Sequence, residues 1–218
     1  MKVDYTLYLV TDDLLSRGRS SLEVVAAAIR GGVTMVQYRE KGATTRAMIE
    51  EAGALLGLCR PRGVPLIIND RADVAIAVGA DGLHVGQDDM PVALARRLIG
   101  EGGILGVSAG SPEEARRAAE EGADYIGASP IFATPTKPDA TSPLGLEGLR
   151  ALAASMRAAG RRLPIVAIGG INEGNAAAII GAGAAGIAVV SAIVSAQDVE
   201  AASRSLRRTA EGAKGEAI

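Results

Sequence analysis

The chain has 218 residues, a formal net charge of −2 and a single cysteine, and 48% of it is hydrophobic. That length suits one substantial core, near the lower end for a closed barrel of eight strand–helix units, and the near-zero charge excludes a broad basic surface for nucleic acid or anionic lipid. One cysteine excludes an intramolecular disulfide or a multi-cysteine metal centre, and with one Phe, four Tyr and no Trp the core is left to Ala, Val, Ile and Leu.

The opening residues, Met1 to Tyr5, begin no leader-like apolar stretch, because Asp12 and Asp13 interrupt the run after them. No later run approaches membrane-spanning length, so a cytoplasmic protein without a membrane partner is expected. In chain order the short apolar runs predict strands over Thr6–Thr11, Thr34–Arg39, Pro65–Asn69, Gly82–Val85, Ile104–Ser108, Tyr125–Ala128, Pro164–Ile168 and Gly186–Val190. They are rich in Val, Ile and Leu, as strands buried on both faces should be. Helical patterns lie between them, among them Ser20–Arg30, Thr45–Arg60 and Ser111–Glu121. Cys59 falls on the apolar stripe Met48, Ala52, Leu55, Leu56, which makes it a buried structural thiol.

Ser20-Ser21-Leu22-Glu23 and Ser111-Pro112-Glu113-Glu114 each offer a hydroxyl cap, with a carboxylate three residues on that can reach back. Gly31-Gly32, Gly79, Gly122 and Gly183 stand where helices end, free to take the left-handed conformation that closes them. Gly79-Ala80-Asp81, Gly122-Ala123-Asp124 and Gly183-Ala184-Ala185 form a weak repeat that marks the same helix-to-strand corner. Eight alternating units predict one α/β domain over 1–218, a single-domain (β/α)8 TIM barrel, with a doubly wound open sheet as the alternative. The stretch from Phe132 to Gly145 has no apolar period and three prolines, and it comes after strand six on the face where barrel active sites sit. It reads as a loop covering the substrate. From Ala201 to Ala213 the composition predicts a helix with a frayed end.

In such a barrel the strand C-termini point into the active-site mouth. Gln37, Arg39 and Lys41 alternate along strand two and so share one face, and two cations with an amide suit a diphosphate. Asn69-Asp70 and Asp89 close strands three and four. Two carboxylates beside a polyanion site suit Mg²⁺, with substrate phosphates completing the shell; each could instead cap the next helix. Gly169-Gly170 and Val190-Ser191, after strands seven and eight, suit a backbone cradle for a monophosphate. Thr134-Pro135-Thr136-Lys137 would bring hydroxyls and a cation down from the long loop. His84 is either a hydrogen-bonded interior side chain or a proton carrier.

Tyr8 to Asp12, Gln37-Tyr38-Arg39-Glu40-Lys41, Asn69-Asp70, His84 to Asp89, Gly106 to Ser108, Pro130 to Asp139, Ala167 to Ile171 and Val189 to Ile193 resemble, in order, the thiamin phosphate synthase family. The resemblance implies that a pyrimidine diphosphate, 4-amino-2-methyl-5-hydroxymethylpyrimidine diphosphate, joins a thiazole phosphate (or its carboxylated form), giving thiamin phosphate and pyrophosphate. It implies further that Gln37, Tyr38, Arg39, Glu40, Lys41, Asn69, Ser108 and Lys137 hold the diphosphate substrate. Thr134, Pro135, Thr136, Gly170, Val190 and Ser191 would hold the thiazole phosphate, and Asp70 and Asp89 would ligate Mg²⁺. Arg39, Lys41 and Lys137 would stabilise the leaving group in a dissociative reaction. Ser129 and Ala133 depart from the family pattern, where glycine and proline are usual. The partners implied are small molecules, with a homo-oligomer possible.

Overall fold

Eight parallel strands close on themselves in a computed structural model that describes residues 3–134, 142–160 and 162–215. In chain order they are β1 (Leu7–Val10), β2 (Met35–Tyr38), β3 (Leu66–Asn69), β4 (Gly82–Val85), β5 (Ile104–Ala109), β6 (Tyr125–Ala128), β7 (Ile165–Ile168) and β8 (Gly186–Val189). Each pairs with the next, and β8 returns to β1 through Leu7 opposite Ile187, so the open-sheet alternative is excluded. Around them run α1 (Ser21–Arg30), α2 (Thr45–Cys59), α3 (Ala72–Val78), α4 (Val92–Ile99), α5 (Pro112–Glu120), α6 (Gly145–Ala158), α7 (Glu173–Gly181), the short α8 (Ser191–Val194) and α9 (Val199–Gly215).

The caps hold as their residue types require. Ser20 Oγ accepts from Glu23 N while the Glu23 carboxylate accepts from Ser20 N at 2.8 Å, a complete capping box. At α5 the Ser111 hydroxyl accepts from Glu114 N, but the Glu114 carboxylate reaches one residue further, to Gly110 N at 2.7 Å. The corner repeat also has a physical meaning. Asp81 accepts from the first amide of β3 at Leu66, and Asp124 accepts from Leu105 N on β5. Each aspartate thereby satisfies a strand-end donor that would otherwise lie part-buried without a partner. The third copy has Ala185 there, whose side chain can accept no such bond.

Two apolar layers result. The larger lies between strands and helices; the smaller fills the barrel interior with Tyr8, Val10, Met35, Ile67, Tyr125, Val166 and Ala188. Aromatic residues therefore carry more of the core than the composition implies: Tyr8, Tyr38 and Tyr125 are all fully buried. Glycines make room for neighbouring backbone and for one of these rings. At Gly186 a Cβ would stand 1.6 Å from the Tyr5 carbonyl oxygen, and at Gly106 it would stand 2.1 Å from the Tyr125 ring. Cys59 is buried among the helix-layer residues, and α9 packs against α1, α7 and β1.

Candidate active site

A cavity of about 550 Å³ opens at the C-terminal ends of the strands and reaches down into the barrel interior. Strand pleating decides which side chains enter it. Gln37, Arg39 and Lys41 all line it, as the alternation along β2 requires. Arg39 is anchored twice from the end of β1: its backbone N–H donates to Thr11 Oγ1 at 2.9 Å, and its Nη1 lies 3.0 Å from Asp12 Oδ2. Both side chains of that ion pair are largely shielded, 22% and 11% exposed, so the pair is not a surface decoration. Thr11 and Asp12 are visible in the sequence as polar strand-end residues, but nothing in their spacing ties them to Arg39.

Tyr38 and Glu40 lie elsewhere, a correction to the site assigned from sequence. The period of two that brings residues 37, 39 and 41 inward turns 38 and 40 outward. Tyr38 faces the helix layer, where its hydroxyl donates to Glu51 of α2 at 2.7 Å. The Glu40 carboxylate folds back onto the amides of Gly42 and Ala43. Neither lines the cavity.

Beside β2, after β3 and β4, Asn69, Asp70, Asp88 and Asp89 form one wall. Neither Asp70 nor Asp89 caps a helix. The helices after them begin at Ala72 and Val92, with Arg71 and Pro91 at the cap positions and no side-chain cap bond. Asp70 instead takes a left-handed backbone conformation, φ 60°, uncommon for a residue with a side chain. Its carboxylate meets Lys41 Nζ at 2.7 Å. Asp89 accepts from Gly86 N at 2.7 Å. Burial, and then the hydrogen-bonding contact with Asp70, hold the Asp89 carboxyl above its ordinary pKa range. Two carboxylates that abut in this way repel each other until a cation comes between them. Among the described residues no group of three His, Cys, Asp or Glu side chains is arranged for a metal. The abutting pair Asp70 and Asp89 fits Mg²⁺ held jointly with substrate phosphates and water.

The opposite wall is backbone. Gly169 and Gly170 both have positive φ, 107° and 64°, and a Cβ on Gly170 would stand 2.8 Å from Phe132 Cβ. The turn is pinned on two sides: Phe132 N–H donates to the Gly169 carbonyl, and Asn175 Nδ2 donates to the Gly170 carbonyl at 2.9 Å. Asn175 also completes the capping box at Asn172, a role its N-x-x-N spacing could have signalled. Val190 and Ser191 border the same side, where α8 begins, and Thr134 reaches it from the segment after β6. First-turn amides of a helix have no partner within the helix, so this wall is rich in donors for an anion. Pro135, Thr136 and Lys137, assigned to the site from sequence, lie outside the described residues.

The floor is a buried polar chain that the sequence does not reveal. Gln37 Nε2 donates to the Tyr8 hydroxyl, which meets the Tyr125 hydroxyl; that in turn meets His84 Nδ1, and His84 Nε2 meets Ser108 Oγ. Every step is 2.9 Å. His84 is thus an interior, hydrogen-bonded residue, and Ser108 stands at the cavity end of the chain.

Known proteins share this arrangement of chain and fold. Residues 7–193 match the family model described as thiamine monophosphate synthase. The chain is 64% identical over 205 residues to the thiamine-phosphate synthase of Chloroflexus aurantiacus, covering 94% of this chain and 92% of that one. It is 50% identical to the thiamine-phosphate synthase of Moorella thermoacetica, covering 97% and 98%. Among solved structures, the thiamine phosphate pyrophosphorylase from Pyrococcus furiosus superposes with a TM-score of 0.87 at 41% identity, covering 97% and 98%.

Proposed function

The chain belongs to the thiamine monophosphate synthase family, and on that premise we propose that it joins a pyrimidine diphosphate to a thiazole phosphate, giving thiamin phosphate and pyrophosphate. The observation that carries the reading is the division of one cavity into two unlike walls. Cations and paired carboxylates stand on the β2–β4 side, and a glycine-lined, donor-rich backbone stands on the β7–β8 side. A diphosphate and a monophosphate are the ligands these walls suit.

In this reading Arg39 and Lys41 bind the diphosphate and stabilise the charge that develops as pyrophosphate departs. Asp12 holds the Arg39 guanidinium in place for that task. Asp70 and Asp89 would hold Mg²⁺, which when bound would supply neutralisation of the leaving-group charge. Gln37, Asn69 and Ser108 orient the pyrimidine, while Gly170, Val190, Ser191 and Thr134 orient the thiazole phosphate so that its ring nitrogen faces the carbon losing pyrophosphate. Pro135, Thr136 and Lys137 would add contacts from the loop after β6. No nucleophilic side chain is required, because the C–O bond breaks first and the thiazole nitrogen supplies the electron pair for the new C–N bond. The apolar lower walls, Val10, Val166, Ile168 and Ala188, keep water from the reactive carbon.

The protein would work in solution, on small molecules; no helix among the described residues is long and apolar enough to cross a membrane. The test is pyrophosphate release by purified protein given both substrates and Mg²⁺, with and without EDTA. Release that needs all three, with thiamin phosphate formed in equal amount, is expected. Binding of both substrates without turnover would overturn the reading.

A further inference from the structure

Two glycines sit in the middle of strands that face the barrel interior, where a missing side chain weakens a strand. Neither Gly106 nor Gly127 has the positive φ that would require glycine. What requires it is space. A Cβ on Gly106 would stand 2.4 Å from His84 Nδ1 and 2.2 Å from the Tyr125 hydroxyl, and one on Gly127 would stand 3.0 Å from His84 Cε1. The interior is therefore shaped around the contact between Tyr125 and His84.

That contact is one step of a chain whose direction is set at its ends. A tyrosine hydroxyl carries one hydrogen, and a neutral imidazole carries one N–H and one lone pair. Because Gln37 Nε2 donates to Tyr8, the Tyr8 hydrogen is directed to the Tyr125 oxygen. The Tyr125 hydrogen is then directed to His84 Nδ1, so the imidazole N–H must be on Nε2 and points at Ser108 Oγ. Burial holds both tyrosines above the ordinary phenol range, so neither releases its hydrogen. Among the described residues no buried side-chain nitrogen or oxygen lacks a partner, as a chain satisfied at every step demands.

We propose that Tyr8, Tyr125 and His84 are positioning residues: they form a one-way hydrogen-bond chain that fixes His84 as its Nε2–H tautomer, leaves Gln37 Oε1 as an acceptor toward the cavity and turns the Ser108 hydroxyl hydrogen outward as a donor. The inference rests on the synthase reading for its ligand, an aminopyrimidine, which offers both an N–H donor and ring-nitrogen acceptors. Reversing the chain would present a donor where the amino group needs an acceptor, and a lone pair where the ring nitrogen needs a donor. Binding one tautomeric pattern of the ring is then a property of the floor, built before the substrate arrives.

His84 is the only histidine in the chain, so the tautomer can be read directly. In protein labelled with ¹⁵N-histidine, the ring should give a pyridine-type signal from Nδ1 and a pyrrole-type signal from Nε2. A pyrrole-type Nδ1 would overturn the proposal whatever the enzyme's activity. Absence of synthase turnover alongside the expected tautomer would instead sink the functional reading and leave the chain standing. In Tyr125→Phe the tautomer should become mixed. Its kcat should fall about tenfold or more, as expected for one lost charge-ordering hydrogen bond, while KM for the thiazole phosphate stays within about twofold. An unchanged kcat, or an equal loss in both parameters, would also overturn it.

Discussion

Lys41 Nζ lies 2.7 Å from Asp70 Oδ2, so the most exposed cation of the β2 face is paired with a carboxylate that itself abuts Asp89. This ion pair sits at the cavity mouth, with the lysine side chain 60% exposed, and exposed pairs add little to stability, at most ~1 kcal/mol. Its geometry matters for ligands instead: Mg²⁺ held by Asp70 and Asp89 would take over the carboxylate that Lys41 now faces, which would leave the ammonium for the diphosphate.

Asp70→Asn and Asp89→Asn are therefore expected to lower thiamin phosphate formation roughly 100-fold, which corresponds to about 2.7 kcal/mol of lost charge stabilisation. The Mg²⁺ concentration for half-maximal rate should rise in both variants. The thermal midpoint should barely move. Wild-type turnover in either variant would remove that residue from the metal site.

Asp12 supplies the second prediction. Its Oδ2 holds Arg39, and its Oδ1 also accepts from Leu15 N at 3.2 Å, so the carboxylate fixes a guanidinium and a turn together. Asp12→Asn keeps a hydrogen-bonding oxygen for the turn but loses the charge that orients Arg39. KM for the pyrimidine diphosphate should rise by about tenfold, with KM for the thiazole phosphate unchanged. Parallel rises in both constants would show that Asp12 supports the mouth as a whole and not Arg39 in particular.

How much of this is legible in the sequence depends on the range of the interaction. The strands read correctly because residues buried on both faces leave continuous Val, Ile and Leu runs, and the caps read because Ser and Glu three residues apart act locally. Strand alternation likewise places Gln37, Arg39 and Lys41 together, and applied to the positions between them it turns Tyr38 and Glu40 away. The floor is illegible. Tyr8, Tyr125 and His84 lie 117 and 41 residues apart in sequence along their hydrogen bonds, and no spacing rule joins them. The two glycines that make room for their contact read as ordinary strand glycines until the ring positions are known. Asp70 reads equally as cap or ligand, and only its backbone turn aims it at Lys41.

Glycines of two kinds give a third prediction. Gly186 has the Tyr5 carbonyl 1.6 Å from where a Cβ would stand, whereas Gly53, inside α2, has nothing within 4 Å. Gly186→Ala must push two strands apart and should destabilise by roughly 3 kcal/mol or prevent folding. Gly53→Ala should stabilise by about 0.5–1 kcal/mol, because it removes backbone freedom from the unfolded chain. Urea melts of the two variants decide this, and a destabilised Gly53→Ala would mean that α2 packs more tightly there than the open space implies.

The last prediction concerns alkaline pH. Burial, reinforced by the nearby charge of Asp81, pushes the Cys59 thiol up to about 12 from an ordinary 9.0. The folded protein therefore holds this proton where the unfolded chain releases it. Below about pH 9 both states are protonated and the contribution to stability is whole; above it only the unfolded state gains by ionising, so stability falls as pH rises toward about 12. The slope from this one group is at most ~1.4 kcal/mol per pH unit. Urea midpoints measured from neutrality to about pH 10 should show the decline, and Cys59→Ala, though less stable at neutrality, should show a shallower one. A thiol reagent at about pH 8 should react with Cys59 only as fast as the protein opens. Reaction of the folded protein at the rate of a free thiol would mean that Cys59 is accessible, and the alkaline decline would then need another source.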